Sequence, residues 1–215
     1  MSNIYIIAGP PGVGKSTLGY KFIDEDLDIL DEDQMRFKYR EQGFPDYNEH
    51  AIQRVSNIIR SKLIRNQDFA YELNLGYPEH YDYVLSAKRF NNENKLHVIL
   101  FHTDDLEMCL ERARLRFESG RHLVKPDTIR EMFTNTLPLL KKNFDSIDHL
   151  MLVNTDNNYV YTVAEYRKAD KALNIIDNNC KWFREDLAMF IYSGIAESKK
   201  DDRSQDNANT HGFER

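Results

Sequence analysis

Cysteine is scarce in this chain. Cys109 and Cys180 stand far apart, with no metal-type spacing, so they offer no cysteine metal site and read as reduced thiols of a cytoplasmic protein. Long apolar runs are missing too. None approaches the roughly 20 residues that a membrane-spanning helix needs, so no membrane role is expected. A strand-like segment begins almost at Met1, which leaves no room for a signal peptide. Positive charge is in the minority. With 29 Lys and Arg against 35 Asp and Glu, the formal net charge of -6 gives no general attraction to nucleic acid or an anionic membrane. No internal repeat is visible. What remains is ordinary for a globular protein: 41% hydrophobic and 30% charged residues over 215 positions, enough for one domain with a substantial core.

The stretch that organises the chain is Ile4 to Thr17, IYIIAGPPGVGKST. Ile4 to Ala8 is apolar without alternation, the pattern of a strand buried on both faces. It runs into Gly9-Pro10-Pro11-Gly12-Val13-Gly14-Lys15-Ser16, which fits G-x-x-x-x-G-K-[ST] without a gap. Glycines let such a loop curl so that successive N–H groups point inward and cradle phosphate oxygens. Gly9 to Thr17 are therefore the candidate ATP-binding residues. Lys15 would reach the β- and γ-phosphates, and the Ser16 hydroxyl would sit on Mg²⁺. A helix with Leu18, Phe22 and Ile23 on one face is expected next, with its positive end toward the same anion.

Further strands are expected at Asp28–Asp31, Phe69–Glu72, Leu96–Phe101 and Leu150–Val153, alternating with helices. A helix starts near Asp31–Asp33. Another spans Tyr47–Asn66, with Ile52, Val55, Ile59 and Leu63 at helical spacing. One follows Gly76-Tyr77-Pro78 to about Asn91. Asp104 is the expected N-cap of a helix burying Leu106, Leu110, Ala113 and Phe117. Ser119-Gly120 ends it. Pro126 opens a helix carrying Ile129, Phe133, Leu137 and Leu140, which Pro138 should kink.

Such alternation implies a parallel sheet covered on both faces. The expected fold class is α/β: a P-loop NTPase three-layer sandwich on a mostly parallel five-stranded sheet, with a C-terminal β-hairpin and helix. A single domain over residues 1–196 is expected, with its core at about 3–153 and the hairpin and helix at about 159–192. Residues 197–215 are polar and read as a disordered tail.

Phosphoryl transfer asks a protein mainly for positioning and charge neutralisation. Asp33 follows the second strand, at the sheet edge where open α/β folds bind ligands. It could accept the proton of an attacking hydroxyl, or serve only as a helix cap; Asp31 competes for the role. Glu72 ends the third strand, where it could stand near Mg²⁺ or the metal's water shell, or be an exposed strand-end carboxylate. Arg112 and Arg116 lie one helical turn apart, and Arg121 follows the Ser119-Gly120 break. Arginines so placed can form a lid over phosphates, or a solvated face paired with Glu107, Glu111 and Glu118. His122 has no clear role.

The segments GPPGVGKST, LDEDQMR, FAYELNLG, LERARLRFESGRH and KPDTIREMF together resemble the zeta-toxin-like P-loop kinases, from about Ile4 to Val153. The resemblance implies that Asp33 is the catalytic base, Glu72 the strand-end substrate glutamate, Arg112 and Arg121 the charge-stabilising arginines, and Lys15 the loop lysine. It implies ATP and Mg²⁺ as cofactors, a hydroxyl of UDP-N-acetylglucosamine as acceptor, and an antitoxin protein as partner. The family places a threonine and an arginine after that glutamate to hold its substrate. This chain reads Asn74-Leu75-Gly76-Tyr77, which leaves the small-molecule acceptor open. Two alternatives stand beside this reading. One is an ATP-binding regulator with slow or no turnover. The other is a kinase of a different small molecule or of a nucleic-acid end, which the negative charge and the lack of an aromatic-basic stripe disfavour.

Overall fold

The computed structural model describes residues 1–120, 123–156 and 159–210, with side chains to Lys199. Its centre is the strand β1 (Asn3–Ala8), paired in parallel with β3 (Phe69–Leu73) on one side and β4 (Lys95–His102) on the other. The short β2 (Ile29–Leu30) lies outside β3, and β5 (His149–Asn154) outside β4. The order β2-β3-β1-β4-β5 leaves a crevice where β1 ends between neighbours reached by crossovers in opposite directions, the place open α/β sheets use for ligands.

The expected C-terminal hairpin is present, and it extends the five-stranded sheet. β6 (Tyr161–Arg167) pairs antiparallel with β5, and β7 (Ala172–Ile175) with β6, so seven strands form one sheet. The physical reason is the edge of β5, whose backbone groups would otherwise lack ladder partners.

Alternation along the strands divides the core. Ile4, Ile6, Val98, Leu100, Leu150 and Leu152 face one layer, built from α3 (Tyr47–Ile64), α4 (Pro78–Arg89), the C-terminal half of α6 (Pro126–Lys142) and the closing helix. Ile7, Ile99, Phe101 and Val153 face the other, against Val13 and α5 (Leu106–Glu118). Pro78 and Pro126 each sit in the first turn of their helices, where no intrahelical N–H is lost. α6 runs on through Pro138 as one helix. Both cysteines are free and buried, and burial pushes each thiol up to about 11.

Several local expectations shift. Ile52 is exposed, and Ala51 takes the buried place on α3. Phe117 is exposed, while Cys109 and Ala113 form the buried stripe of α5. The N-cap of α5 is Asp105, which accepts from the Met108 N–H at 2.8 Å, rather than Asp104. The closing helix contains a π-helical turn near its start, Phe183–Leu187, with Phe183 and Leu187 buried beside Trp182. It continues as α7 (Ala188–Thr210), so helix covers much of the segment expected to lack order; residues 211–215 lie outside the described part. No helix among the described residues is long and apolar enough to cross a membrane.

Ile195 is the last buried apolar residue of α7 within the described side chains, and Lys171 Nζ donates to the Ser198 carbonyl at 2.8 Å. A chain ending at Ser198 keeps both contacts. Its melting temperature should stay within about 2 °C of the full chain. A larger loss in differential scanning fluorimetry would mean that the distal part of α7 packs.

Candidate active site

The loop after β1 is pressed between β4 and α5. Gly9 has φ +135°, and a Cβ there would lie 2.2 Å from the Phe101 carbonyl oxygen. Gly12 has φ +83°, and a Cβ there would lie 2.1 Å from the Cys109 carbonyl oxygen. Both positions need glycine for conformation and for space. The second contact also fixes the loop against the helix that carries Arg112 and Arg116. Pro10, Pro11 and Val13 are buried between these anchors, and Gly14 (φ +108°) leads into Lys15. The following helix is shorter than expected. α1 covers only Lys15–Leu18 before a 3₁₀ turn at Gly19–Phe22, so its dipole is small and the loop amides carry the cradle. Leu18, Phe22 and Ile23 do pack on the sheet as anticipated.

Lys15 is buried, with 5% of its surface exposed. Its Nζ donates to the Gly9 carbonyl at 2.7 Å, the Pro10 carbonyl at 3.0 Å and Asn74 Oδ1 at 2.8 Å. Burial holds its pKa below the ordinary lysine value, opposed chiefly by the carboxylate of Glu72. Ser16 and Thr17 follow on the cleft side, and the Ser16 hydroxyl donates to Glu72 Oε1 at 2.8 Å. Burial raises the Glu72 carboxyl above the usual range, against the pull of Lys15. Asn74 was not among the expected site residues. Its signal was the period of two: Glu72 and Asn74 leave β3 on the same side, toward the loop.

α2 (Glu32–Glu41) separates the two acids that sequence left in competition. Asp31 is its N-cap, accepting from the Asp33 N–H at 2.8 Å and the Gln34 N–H at 3.2 Å. Asp33 therefore does not serve as the cap. It stands in the first turn, its Oδ1 accepting from Arg36 Nη1 at 2.8 Å. Arg36 also donates to Glu32 at 2.8 Å, and the Tyr71 hydroxyl donates to the other Glu32 oxygen at 2.8 Å. The chain Tyr71–Glu32–Arg36–Asp33 thus ties the candidate base to the sheet.

Two cavities open at this edge. One, of about 570 Å³, is lined by Gly12, Gly14, Lys15, Glu72, Arg112 and Leu115, among others. The second, of about 1000 Å³, is lined by Asp31, Asp33, Arg36, Lys38, Arg40 and Tyr47, among others. Ser16, Thr17, Arg116 and Ser119 border both. The expected base thus faces the second cavity, and Lys15, Glu72 and Arg112 the first. Arg40 donates to the Gly120 carbonyl at 2.6 Å, tying α2 to the turn that ends α5. Arg121 and His122 lie outside the described residues.

Arg114 occupies the solvated face of α5. Glu111 and Glu118 pair with Arg114, on the exposed side of the helix. Arg112 and Arg116 line the cavities instead. The spacing of four puts Arg112 and Arg116 on one face as candidate lid arginines, although the family resemblance implies roles only for Arg112 and Arg121. Lysine keeps the charge of arginine but not its planar fork. Arg112→Lys and Arg116→Lys should each lower kcat by about tenfold or more, whereas Arg114→Ala should leave it unchanged. A kcat ranking with Arg114→Ala lowest would reverse the assignment of faces.

No protein-family model matches the chain, and no curated protein matches it in sequence. Solved structures do match in fold. A chain of the AvrRxo1-ORF1:AvrRxo1-ORF2 complex with sulphate ions superposes with a TM-score of 0.65 at 12% identity, over 86% of this chain and 63% of that one. The same complex with ATP gives 0.63 at 12% identity, over 82% and 61%. This chain therefore spans less than two thirds of those chains. A chain from the PezAT chromosomal toxin-antitoxin system of the human pathogen Streptococcus pneumoniae gives 0.55 at 13% identity, over 93% of this chain and 86% of that one. With the phosphate loop at the crevice of the sheet, the fold is the P-loop α/β sandwich that this chain shares with the AvrRxo1 and PezAT structures.

Proposed function

We propose that this chain is an ATP-dependent kinase of zeta-toxin type, transferring the γ-phosphate to a hydroxyl of a small molecule. The observation that carries the reading is the junction of the two cavities at Ser16, Thr17 and Arg116. Lys15 and Arg112 line one side of that junction, and Asp33 lines the other. A nucleotide in the smaller cavity and an acceptor in the larger would meet where charge develops. Lys15 and the loop amides would bind the phosphates, Arg112 and Arg116 would take up charge on the transferring group, and Asp33 would orient the acceptor hydroxyl and accept its proton. A pure nucleotide binder needs Lys15 and Ser16 but no acid across a second cavity.

The Ser16 hydroxyl beside the Glu72 carboxylate is a hard-oxygen pair, the donor chemistry that suits Mg²⁺. Ser16 would hold the ion directly and Glu72 through its water. Bound there, Mg²⁺ would neutralise phosphate charge.

The acceptor is proposed from the second cavity alone. Where the zeta-toxin pattern has its substrate threonine and arginine, Asn74 turns to Lys15 and Leu75 is buried. The basic groups of the larger cavity are Arg36, Lys38 and Arg40 of α2, beside Arg116 of α5. A UDP-sugar is thus one candidate in a panel. A partner protein in the role of antitoxin is a further part of the proposal; AvrRxo1-ORF1 is seen with AvrRxo1-ORF2, and PezAT is a toxin-antitoxin system.

The test is incubation with γ-labelled ATP, Mg²⁺ and a panel of nucleotide-sugars, sugars, nucleosides and a 5′-hydroxyl oligonucleotide, read by mass spectrometry. A phosphorylated small molecule is expected. Tight ATP binding with no product from any acceptor would favour the regulator, and a phosphorylated oligonucleotide would favour the end kinase.

A further inference from the structure

We propose that Asn74 is a positioning residue for Lys15, and that it competes with the phosphates of ATP for one of that lysine's protons. The inference rests on the ATP-binding reading of the loop. An ammonium group has three N–H donors. All three on Lys15 have partners: the Gly9 carbonyl at 2.7 Å, the Pro10 carbonyl at 3.0 Å and Asn74 Oδ1 at 2.8 Å. The side chain is almost wholly buried, so water has little access to take a share.

Those three partners are not equivalent. Gly9 and Pro10 belong to the loop itself and are fixed by its packing against the Phe101 carbonyl. Their carbonyl oxygens keep their places as long as the loop keeps its fold. Asn74 is a side-chain amide beyond the end of β3, and a rotation about its own χ angles moves Oδ1 away. A phosphate oxygen that takes a proton from Lys15 therefore displaces Asn74 at least cost. Ser16 stands in a parallel state, its hydroxyl given to Glu72, two residues before Asn74. The end of β3 thus occupies both side chains that the loop would offer to nucleotide and metal. It keeps a buried lysine satisfied when the loop is empty, and it weakens ATP binding by the bond that must be exchanged.

The sign of one substitution decides the matter. Titration calorimetry with ATP, ADP and AMP is done on the full-length wild type, Asn74→Ala and Asn74→Asp. Asn74→Ala should bind ATP about threefold to tenfold more tightly, with a matching fall in KM for ATP. AMP affinity should not change, because AMP lacks the phosphates that Lys15 would meet. Without nucleotide the same variant should melt about 3 °C lower, since Lys15 loses a partner. Asn74→Asp should melt higher and bind ATP at least tenfold more weakly. If Asn74→Ala does not fold, Asn74→Ser must move ATP affinity in the same direction. A residue that only supports the fold would lower stability without tightening ATP. Weaker or unchanged ATP binding by Asn74→Ala, in a protein whose wild type binds ATP, overturns the inference and leaves the loop assignment standing. No ATP binding by the wild type overturns both.

Discussion

A Lys15→Ala variant should lose phosphoryl transfer by on the order of 10³-fold and bind ATP far more weakly than the wild type. The size of the effect comes from the surroundings of the ammonium. It is buried, so its charge acts on a phosphate through a poorly screened medium, where electrostatic interactions are stronger than in water. It is also held by two loop carbonyls, so it needs little reorganisation when the nucleotide arrives. Alanine removes that charge and leaves Gly9, Pro10 and Asn74 without their donor. It also strips Glu72 of the largest influence that favours its ionised form, so that carboxyl should move further above the usual range. Calorimetric titration with ATP and steady-state kinetics check the two halves separately. Turnover within tenfold of wild type would remove Lys15 from the phosphate site.

The phosphate loop was legible because its geometry depends on residue type at each step. Gly9 and Gly12 lie under 2.5 Å from backbone oxygens once a Cβ is imagined, and no other residue type fits such positions. The parallel core was legible from apolar runs in β1, β4 and β5, whose alternate residues are buried on two faces. The length of the helix after the loop was not. Leu18, Phe22 and Ile23 pack as helical spacing suggests, yet Gly19 meets Ile7 closely, and the backbone tightens there into a 3₁₀ turn. Packing against the sheet overrode the spacing.

The site was legible in outline and not in all its pairings. Asp31 and Asp33 have the same chemistry two residues apart, and only the start of α2 decides which one caps it. Of Arg112, Arg114 and Arg116 only Arg114 lies three and four residues from Glu111 and Glu118, and it takes both; that spacing was legible in the sequence but was not weighed. Asn74 was passed over because its role depends on where β3 ends relative to the loop, and that register is a tertiary fact, with Ile7 opposite Glu72.

Asp33→Asn should keep ATP affinity within about twofold and lower transfer to the acceptor by on the order of 10²-fold or more. The substitution keeps size and removes the proton acceptor. It touches no phosphate contact, since Asp33 lines the second cavity and Lys15 the first. The fold should tolerate it. Asp31 still caps α2, and Arg36 still has Glu32 at 2.8 Å. The lost Arg36–Asp33 pair involves a carboxylate with 44% of its side chain exposed, so solvent screens it and its removal should cost less than about 1 kcal/mol. In a loose transition state the attacking hydroxyl gives up its proton late, so the carboxylate acts mainly by orienting that hydroxyl, and asparagine can do this only in part. The companion variant is Asp31→Asn. Asparagine caps a helix about as well as aspartate, so this variant should keep both its melting temperature and most of its transfer. The pair of variants therefore separates capping from catalysis without unfolding the helix. If Asp31→Asn abolishes transfer and Asp33→Asn does not, the base is Asp31, and the ion pair with Arg36 only stabilises the first turn of α2.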